Sequence, residues 1–234
     1  MRFSGKHVLV TGAASGLGLA IAKAAQAEGA VIIALDRVAA PFADSRICDI
    51  ADEAQVRQAL SDLPRLDAVV NSAGIARRAK VDETDMADFD AVMAVNVRGA
   101  FLVSKYALPH LRGHGGSILH LSSGVATTGI RNRAAYTASK GAILSLTRNM
   151  ALDYACDNVR VNCLCPGFVD TPLLSTITPE RRARLTALHP LGRMGKPDDI
   201  APMALFLLSN QASWITGQAI AVDGGFSVGH PEDV

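Results

Sequence analysis

Neither sign of charge dominates this chain. Its 23 Lys and Arg stand against 22 Asp and Glu, so no long-range field draws it to nucleic acid or to an anionic membrane. No apolar run approaches the length of about 18 residues that a membrane-spanning helix needs. Cysteine is scarce: Cys48, Cys156, Cys163 and Cys165 are the whole set. No CxxC pair or His-x-x-x-His spacing accompanies them, which argues against a disulfide or zinc framework, and no metal site is expected. Cys163 and Cys165 stand two apart in a strand-like run, on one face, and read as small buried hydrophobes in a reducing compartment. Repeats, low-complexity tracts and linkers are also missing. The opening MRFSGKHVLVTG runs straight into a strand, so no signal peptide is expected ahead of the fold and a cytoplasmic protein is the default.

What is present is a long alternation of strand and helix signals. Apolar residues make up 49% of the 234 positions, enough to cover a buried parallel sheet on both faces within a single domain spanning 1–234. The pattern predicts strands at 6–11, 30–35, 46–48, 66–71, 116–121, 158–164 and 219–222. It predicts helices at 16–28, 53–60, 86–108, 136–154 and 197–208. The expected fold is α/β: a doubly wound, Rossmann-type parallel sheet with helices on both faces. The segment 170–196 has no clean strand pattern and interrupts the alternation.

The first turn of that alternation reads TGAASGLG. Gly12 allows a tight turn, Gly16 lets the backbone approach a pyrophosphate, and Gly18 allows close packing of helix on strand. Amide groups at the helix start then face the phosphates. Such a cluster between two loosely packed elements would look similar. Strand, turn, helix, strand and a terminal acid in this order are far more specific, and they imply a dinucleotide. Asp36 ends the second strand, where a carboxylate accepts hydrogen bonds from both adenosine-ribose hydroxyls and repels a 2′-phosphate. The glycine turn holds no Lys or Arg to bind such a phosphate. Arg37 is the dissenting residue, since a guanidinium there suits NADP. The expected cofactor is NAD rather than NADP.

Tyr136 and Lys140 sit four residues apart in AAYTASKGA, which places a phenol and an ammonium on one helix face. A free phenol has a pKa of about 10 and is mostly protonated at neutral pH. A nearby ammonium, joined by the positive charge of an oxidised nicotinamide, is expected to lower that value by two or three, roughly 3–4 kcal/mol of differential stabilisation. Ser123 lies just beyond a strand C-terminus, where a hydroxyl can hold a reacting oxygen beside Tyr136. Each residue also has a bland reading: a packing tyrosine, a solvated lysine, a strand-ending serine.

With these pieces in order, the chain resembles the short-chain dehydrogenase/reductase family over essentially its whole length, in the branch with TGxxxGxG and YxxxK. The matching pieces are TGAASGLG, Asp49-Ile50, NSAG at 71–74, Asn96 in VNVRG, LSS at 121–123, YTASK at 136–140, PGFVDT at 166–171, GRMGKPDDIA and TGQAIAVDGG. Two departures stand out. NSAG replaces the commoner Asn-Asn-Ala-Gly, and the stretch from Asp36 to Asp49 leaves little room for a helix.

The resemblance implies that Tyr136 is the acid/base, Lys140 its electrostatic partner, Ser123 the donor to the substrate oxygen, and Asn96 the holder of a proton-relay water. Ser123 is preferred to Ser122 because thirteen residues before the Tyr is the family's usual spacing. For the cofactor the resemblance implies contacts from Gly12, Ser15, Gly16, Leu17 and Gly18, then Asp36 and Arg37, with Asp49 and Ile50 at the adenine. Asn71, Ala73 and Gly74 are expected to line the groove, and Tyr136 and Lys140 to meet the nicotinamide end. Pro166 and Gly167 turn the chain toward the nicotinamide, and Val169 and Thr171 resemble its carboxamide and phosphate contacts. The family is usually tetrameric, and a homotetramer is expected.

The same resemblance makes 170–196 a substrate lid, although its arginines also read as the solvated face of an amphipathic helix. In GIRNRAA, Arg133 lies three residues before Tyr136 and can reach a substrate carboxylate; solvated loop charge is the competing reading for Arg131 and Arg133. The tract resembles the sub-branch of cytosolic 3-hydroxybutyrate and 2-keto-3-deoxy-sugar-acid dehydrogenases. The leading expectation is hydride transfer to or from a secondary alcohol of a small polar acid or sugar derivative. An NADPH-dependent 3-oxoacyl reductase is the nearest alternative. A non-catalytic NAD(H)-binding sensor or structural subunit is the alternative from another class, and the complete set Asn96, Ser123, Tyr136, Lys140 argues against it.

Overall fold

In the computed structural model, which describes residues 1–229, seven parallel strands form one sheet in the order β3-β2-β1-β4-β5-β6-β7. The strands are β1 (His7–Thr11), β2 (Val31–Asp36), β3 (Asp44–Ile47), β4 (Ala68–Asn71), β5 (Gly116–Leu121), β6 (Val159–Pro166) and β7 (Ala219–Val222). Their central members are largely apolar and almost wholly buried because both faces are covered. In β1, Val8 and Val10 join the core under α1 (Gly16–Ala27) and α8 (Pro197–Leu208). Leu9, between them, packs on the opposite face with α2 (Glu53–Ala59), α4 (Ala100–Ala107) and α6 (Ala134–Asp153). The remaining α-helices are α3 (Met86–Met93), α5 (Val125–Thr128) and α7 (Pro179–Ala187).

The chain winds outward from β1 to β3, then returns to β4 on the other side of β1. That reversal leaves a crevice above the C-terminal ends of β1 and β4, where open α/β sheets bind their ligands. No helix joins β2 to β3, in keeping with the short stretch between Asp36 and Asp49.

The expected helix 86–108 is interrupted. A π-helical turn at Ala94–Gly99 separates α3 from α4 and carries Asn96. One extra residue in a turn leaves no hydrophobic signal, so periodicity alone reads straight through it. The whole rod, Met86–His110, is the one helix among the described residues long and apolar enough to cross a membrane, with mean hydropathy 1.2, and half of that stretch is buried in the protein. Asp88, Asp90, Arg98 and Lys105 break it into short apolar runs, and its inner face supplies Leu102, Val103 and Ala107 to the core.

Candidate active site

The glycine turn works by close approach. Gly12 has φ of 68° and lies so near Ala73 that a Cβ would sit 2.9 Å from its Cα. A side chain at Gly18 would run into the Gly12 carbonyl, so α1 can pack onto the end of β1 only through glycine. Thr11 ties this turn to NSAG, its Oγ1 accepting from the backbone N–H of Ser72 at 3.0 Å and of Ala73 at 3.1 Å. The sequence reading missed Thr11, whose only signal is a hydroxyl at the last position of an apolar strand.

A crevice of about 290 Å³ opens beside the turn. Gly12, Ser15, Gly16, Leu17, Gly18, Asp36, Arg37, Asp49, Ile50, Ala73, Gly74, Tyr136, Lys140 and Thr171 all line it, as expected of cofactor contacts. Asp36 accepts from the Ala14 N–H at 3.0 Å and the Val38 N–H at 3.4 Å, so its carboxylate also holds the glycine turn. Asp49 accepts from the Ala51 N–H at 2.9 Å, and Ile50 packs against Gly99. Cys48 lines the crevice as well, its thiol pushed up to about 11 by burial and then by Asp49 and Asp52.

Asn71 is a correction. It lies beneath the crevice rather than on its wall, its amide donating to Ser104 Oγ at 3.0 Å and meeting His120 Nδ1 at 3.2 Å. Its strand position points it toward the core face shared with α4.

A second cavity of about 90 Å³ shares Leu17, Ser122, Tyr136, Thr171 and Leu173 with the first. Ser123, Arg133, Pro166, Gly167 and Val169 line this second cavity and not the crevice. Tyr136 thus stands on the shared wall, with Lys140 on the crevice side and Ser123 on the other.

The hydroxyls of Tyr136 and Ser123 face each other closely enough for Ser123 to favour the ionised phenol. Ser122 Oγ instead donates to the Lys140 carbonyl at 2.8 Å, which separates the two serines into a framework residue and a site residue. Lys140 is 5% exposed and its Nζ donates to the Leu121 carbonyl at 2.7 Å. Burial pushes its pKa down to about 8. In the protein alone burial raises the Tyr136 pKa, against the opposing effects of Ser123 and the Arg133 charge; the expected lowering includes the positive charge of an oxidised nicotinamide. Lys140 Nζ lies 5.7 Å from the ring centroid and donates one of its protons to the Leu121 carbonyl.

Asn96 is anchored by its side chain. Its Oδ1 accepts from the Ile75 N–H at 2.8 Å, and its Nδ2 donates to the Ile75 carbonyl at 2.9 Å and to Ser139 Oγ at 3.0 Å. The side chain therefore clamps the end of NSAG to α6, aimed inward by the π-helical turn.

His189, in the segment 170–196, is buried. Its Nε2 accepts from the Phe168 N–H at 3.1 Å and its Nδ1 meets the Leu185 carbonyl at 2.8 Å, which makes Nδ1 the protonated nitrogen. Phe168 and Phe226 close around it, with ring centroids 5.9 and 5.7 Å from the imidazole. This cluster holds the second cavity's floor.

Comparison with known proteins agrees with this geometry. The sequence family described as enoyl-(acyl carrier protein) reductase matches residues 12–227. A 2-(S)-hydroxypropyl-CoM dehydrogenase of Xanthobacter autotrophicus is 41% identical, with 97% of this chain and 98% of the relative covered. A solved structure described as a putative NAD(P)-dependent gluconate 5-dehydrogenase of Beutenbergia cavernae, with NADP bound at low occupancy, superposes with a TM-score of 0.91 at 34% identity, covering 97% and 98%. The 3-ketoacyl-(acyl-carrier-protein) reductase of Brucella melitensis, complexed with NADH, gives 0.89 at 36% identity, covering 96% and 99%. The chain belongs to the short-chain dehydrogenase/reductase family. It is an oxidoreductase that uses a nicotinamide dinucleotide.

Proposed function

We propose that the protein is an NAD-dependent dehydrogenase of a secondary alcohol carried on a small polar substrate, a hydroxy acid or sugar acid. The observation that carries this reading is the position of Tyr136 on the wall shared by the dinucleotide crevice and the second cavity, with Ser123 beside it on the second cavity's side. A substrate oxygen in the second cavity meets both hydroxyls at once, and its carbon faces the crevice.

The residues fit the dinucleotide. The amides of Gly16, Leu17 and Gly18 open α1 toward the crevice, where a pyrophosphate is stabilised by the helix terminus. Asp36 stands where an adenosine ribose ends, and no Lys or Arg lies in TGAASGLG, which supports NAD. Arg37 lines the same crevice and is the feature that favours NADP, as in the alternative reading of an NADPH-dependent 3-oxoacyl reductase.

A bound nicotinamide supplies or accepts the hydride and, when oxidised, adds positive charge beside the phenol. The chain's own part is to hold the oxygen and move its proton. Ser123 fixes the oxygen, and Tyr136 takes the proton in alcohol oxidation or gives it in carbonyl reduction. Because burial alone keeps the phenol protonated, its poise comes from cations gathered near it, Arg133 among them. Lys140, tied to the end of β5, lies within reach of a nicotinamide ribose.

On this reading the segment 170–196 covers the substrate, since it supplies Thr171, Leu173 and Leu174 to the cavity walls. A cytoplasmic homotetramer is the proposed state, supported by the outward-facing Phe101 and Leu152 on α4 and α6. A monomer mass by light scattering at micromolar concentration overturns the tetramer. The function itself is tested by following NAD+ reduction over a panel of hydroxy acids, polyols and sugar acids. Turnover of a secondary alcohol in that panel supports it; a protein that binds NAD+ yet reduces it with none, and oxidises NADPH with 3-oxoacyl esters, overturns it.

A further inference from the structure

Arg133, on the wall of the second cavity, and Arg78 and Arg181, outside its lining, have no counter-charge among the described residues. Arg133 lines the cavity with its guanidinium 6.0 Å from the Tyr136 ring centroid, and is half-buried. Arg78 follows the NSAG segment, and Arg181 lies in the first turn of α7. Among the described residues, none of the three side chains donates a hydrogen bond or forms an ion pair.

Their neighbours behave differently. Arg77 is paired with Asp88 at 2.8 Å, and Arg182 with Asp170 at 2.9 Å. The local carboxylates are thus engaged, and the unpaired arginines are a selected subset, not a uniformly solvated face. Arg181 is the sharper case, because its Nε is buried with no partner. Burial lowers the pKa of Arg133; the Tyr136 phenol opposes this, and the charges of Arg78 and Arg181 add to it.

Burying a guanidinium without an anion is costly, and placing two more beside it adds repulsion. Folds keep such an arrangement where a ligand supplies the missing charge. The rest of the cavity is apolar, with Ile130, Leu174 and Phe226 on its walls.

We propose that Arg133, supported by Arg181 and Arg78, seats an anionic group of the substrate, a carboxylate or sulfonate joined by a short apolar link to the secondary alcohol held at Ser123 and Tyr136. The planar fork of Arg133 matches two anion oxygens and fixes which carbon faces the crevice. This rests on the dehydrogenase reading for the identity of the substrate, but the seat is testable without turnover.

The test is a ligand-observed NMR titration of butyrate, propane-1-sulfonate and uncharged butyramide against the protein saturated with NAD+. Butyrate or propane-1-sulfonate should bind at least roughly tenfold more tightly than butyramide, and the stronger of the two identifies the anion. Arg133→Gln should abolish that preference while leaving butyramide unchanged, and Arg181→Gln should weaken the anions about threefold. Arg131→Gln, an exposed neighbour, should change nothing. Equal binding of acids and amide to the parent overturns the seat, as does equal loss of all three ligands in Arg133→Gln. Should that variant not fold, Arg181→Gln with unaltered anion binding overturns it instead. Anion preference in a protein that transfers no hydride refutes the dehydrogenase reading and leaves the seat standing; alcohol oxidation with no anion preference refutes the seat alone.

Discussion

The crevice over β1 and β4 is shaped by the glycine turn and by NSAG, where backbone approaches backbone, whereas the cavity beside it is lined mainly by side chains from segments after β5, β6 and β7. On the crevice side the decisive contacts are Gly12 against Ala73 and Gly18 against the Gly12 carbonyl. Topology fixes them, and nearly any substitution there collides with main chain. On the other side Ser123, Arg133, Leu174 and Phe226 contribute mostly what projects from the chain, so their exchange alters chemistry with less demand on the fold. A cofactor shared by many enzymes is met by geometry, and a particular substrate by side chains. The wall between them should then be the place where a single atom matters most.

Tyr136→Phe tests that wall with the largest expected effect. It removes one oxygen from the shared surface and leaves the ring in place. Turnover should fall on the order of 10²–10⁴-fold while the NAD+ dissociation constant stays within about threefold. Steady-state kinetics and a cofactor titration measure the two separately. Activity within tenfold of the parent would move the proton-transfer role elsewhere.

Lys140 lies on the crevice side of the same wall, and its burial has a cost that stability measurements can read. Its pKa falls from the ordinary 10.5 to about 8 in the fold. Between those values the unfolded chain binds the proton that the native chain has lost, so stability rises with pH across about 8 to 10.5. Below about 8 the cost is fully present, on the order of 3 kcal/mol. Lys140→Met should therefore abolish activity yet stabilise the protein near neutral pH, by about 2 kcal/mol after the lost bond to Leu121. Denaturant melts at pH 7 and 9.5 decide it, because the gain should shrink at the higher pH. A variant less stable than the parent at both values would show that the buried ammonium contributes net stability.

Asp36 probes the crevice proper. The carboxylate holds the Ala14 N–H and faces the position of the adenosine ribose. Asp36→Ala should weaken NAD+ binding roughly 10- to 100-fold and narrow its advantage over NADP+. A parent enzyme that already prefers NADP+ would show that Arg37 dominates.

How much of this was legible in the sequence divides along the same line. The sheet, its winding and the glycine turn could be read because strands that are buried on both faces are largely apolar, and because α1 starts on glycines that nothing else can replace. Helix α8 and strand β7 fall at the expected residues, 197–208 and 219–222. The π-helical turn could not be read, since one extra residue shifts a helix without changing its composition. It aims the Asn96 side chain at the Ile75 backbone. Asn71 was misplaced for a related reason: a residue at a strand end projects either into the crevice or beneath it, and the alternation cannot say which. Spacing along a helix likewise carries no information about the Leu121 carbonyl to which the Lys140 ammonium donates.

The smallest expected effect separates two adjacent serines that the sequence distinguished only by family spacing. Ser122 Oγ donates to the Lys140 carbonyl at 2.8 Å, inside the structure, while the Ser123 hydroxyl faces that of Tyr136. A framework hydroxyl contributes about 1 kcal/mol to stability and nothing directly to the reacting oxygen. Ser122→Ala should therefore lower the midpoint of unfolding slightly and keep kcat/KM within about threefold. Ser123→Ala should do the reverse, leaving stability nearly unchanged and lowering kcat/KM roughly 100-fold, as expected when one donor to a developing charge is removed. Comparing the two variants in one set of melts and assays makes each the control for the other. If Ser122→Ala proves the more damaging to turnover, the hydroxyl that holds the substrate oxygen lies on the opposite side of the strand end, and the second cavity is not where the alcohol binds.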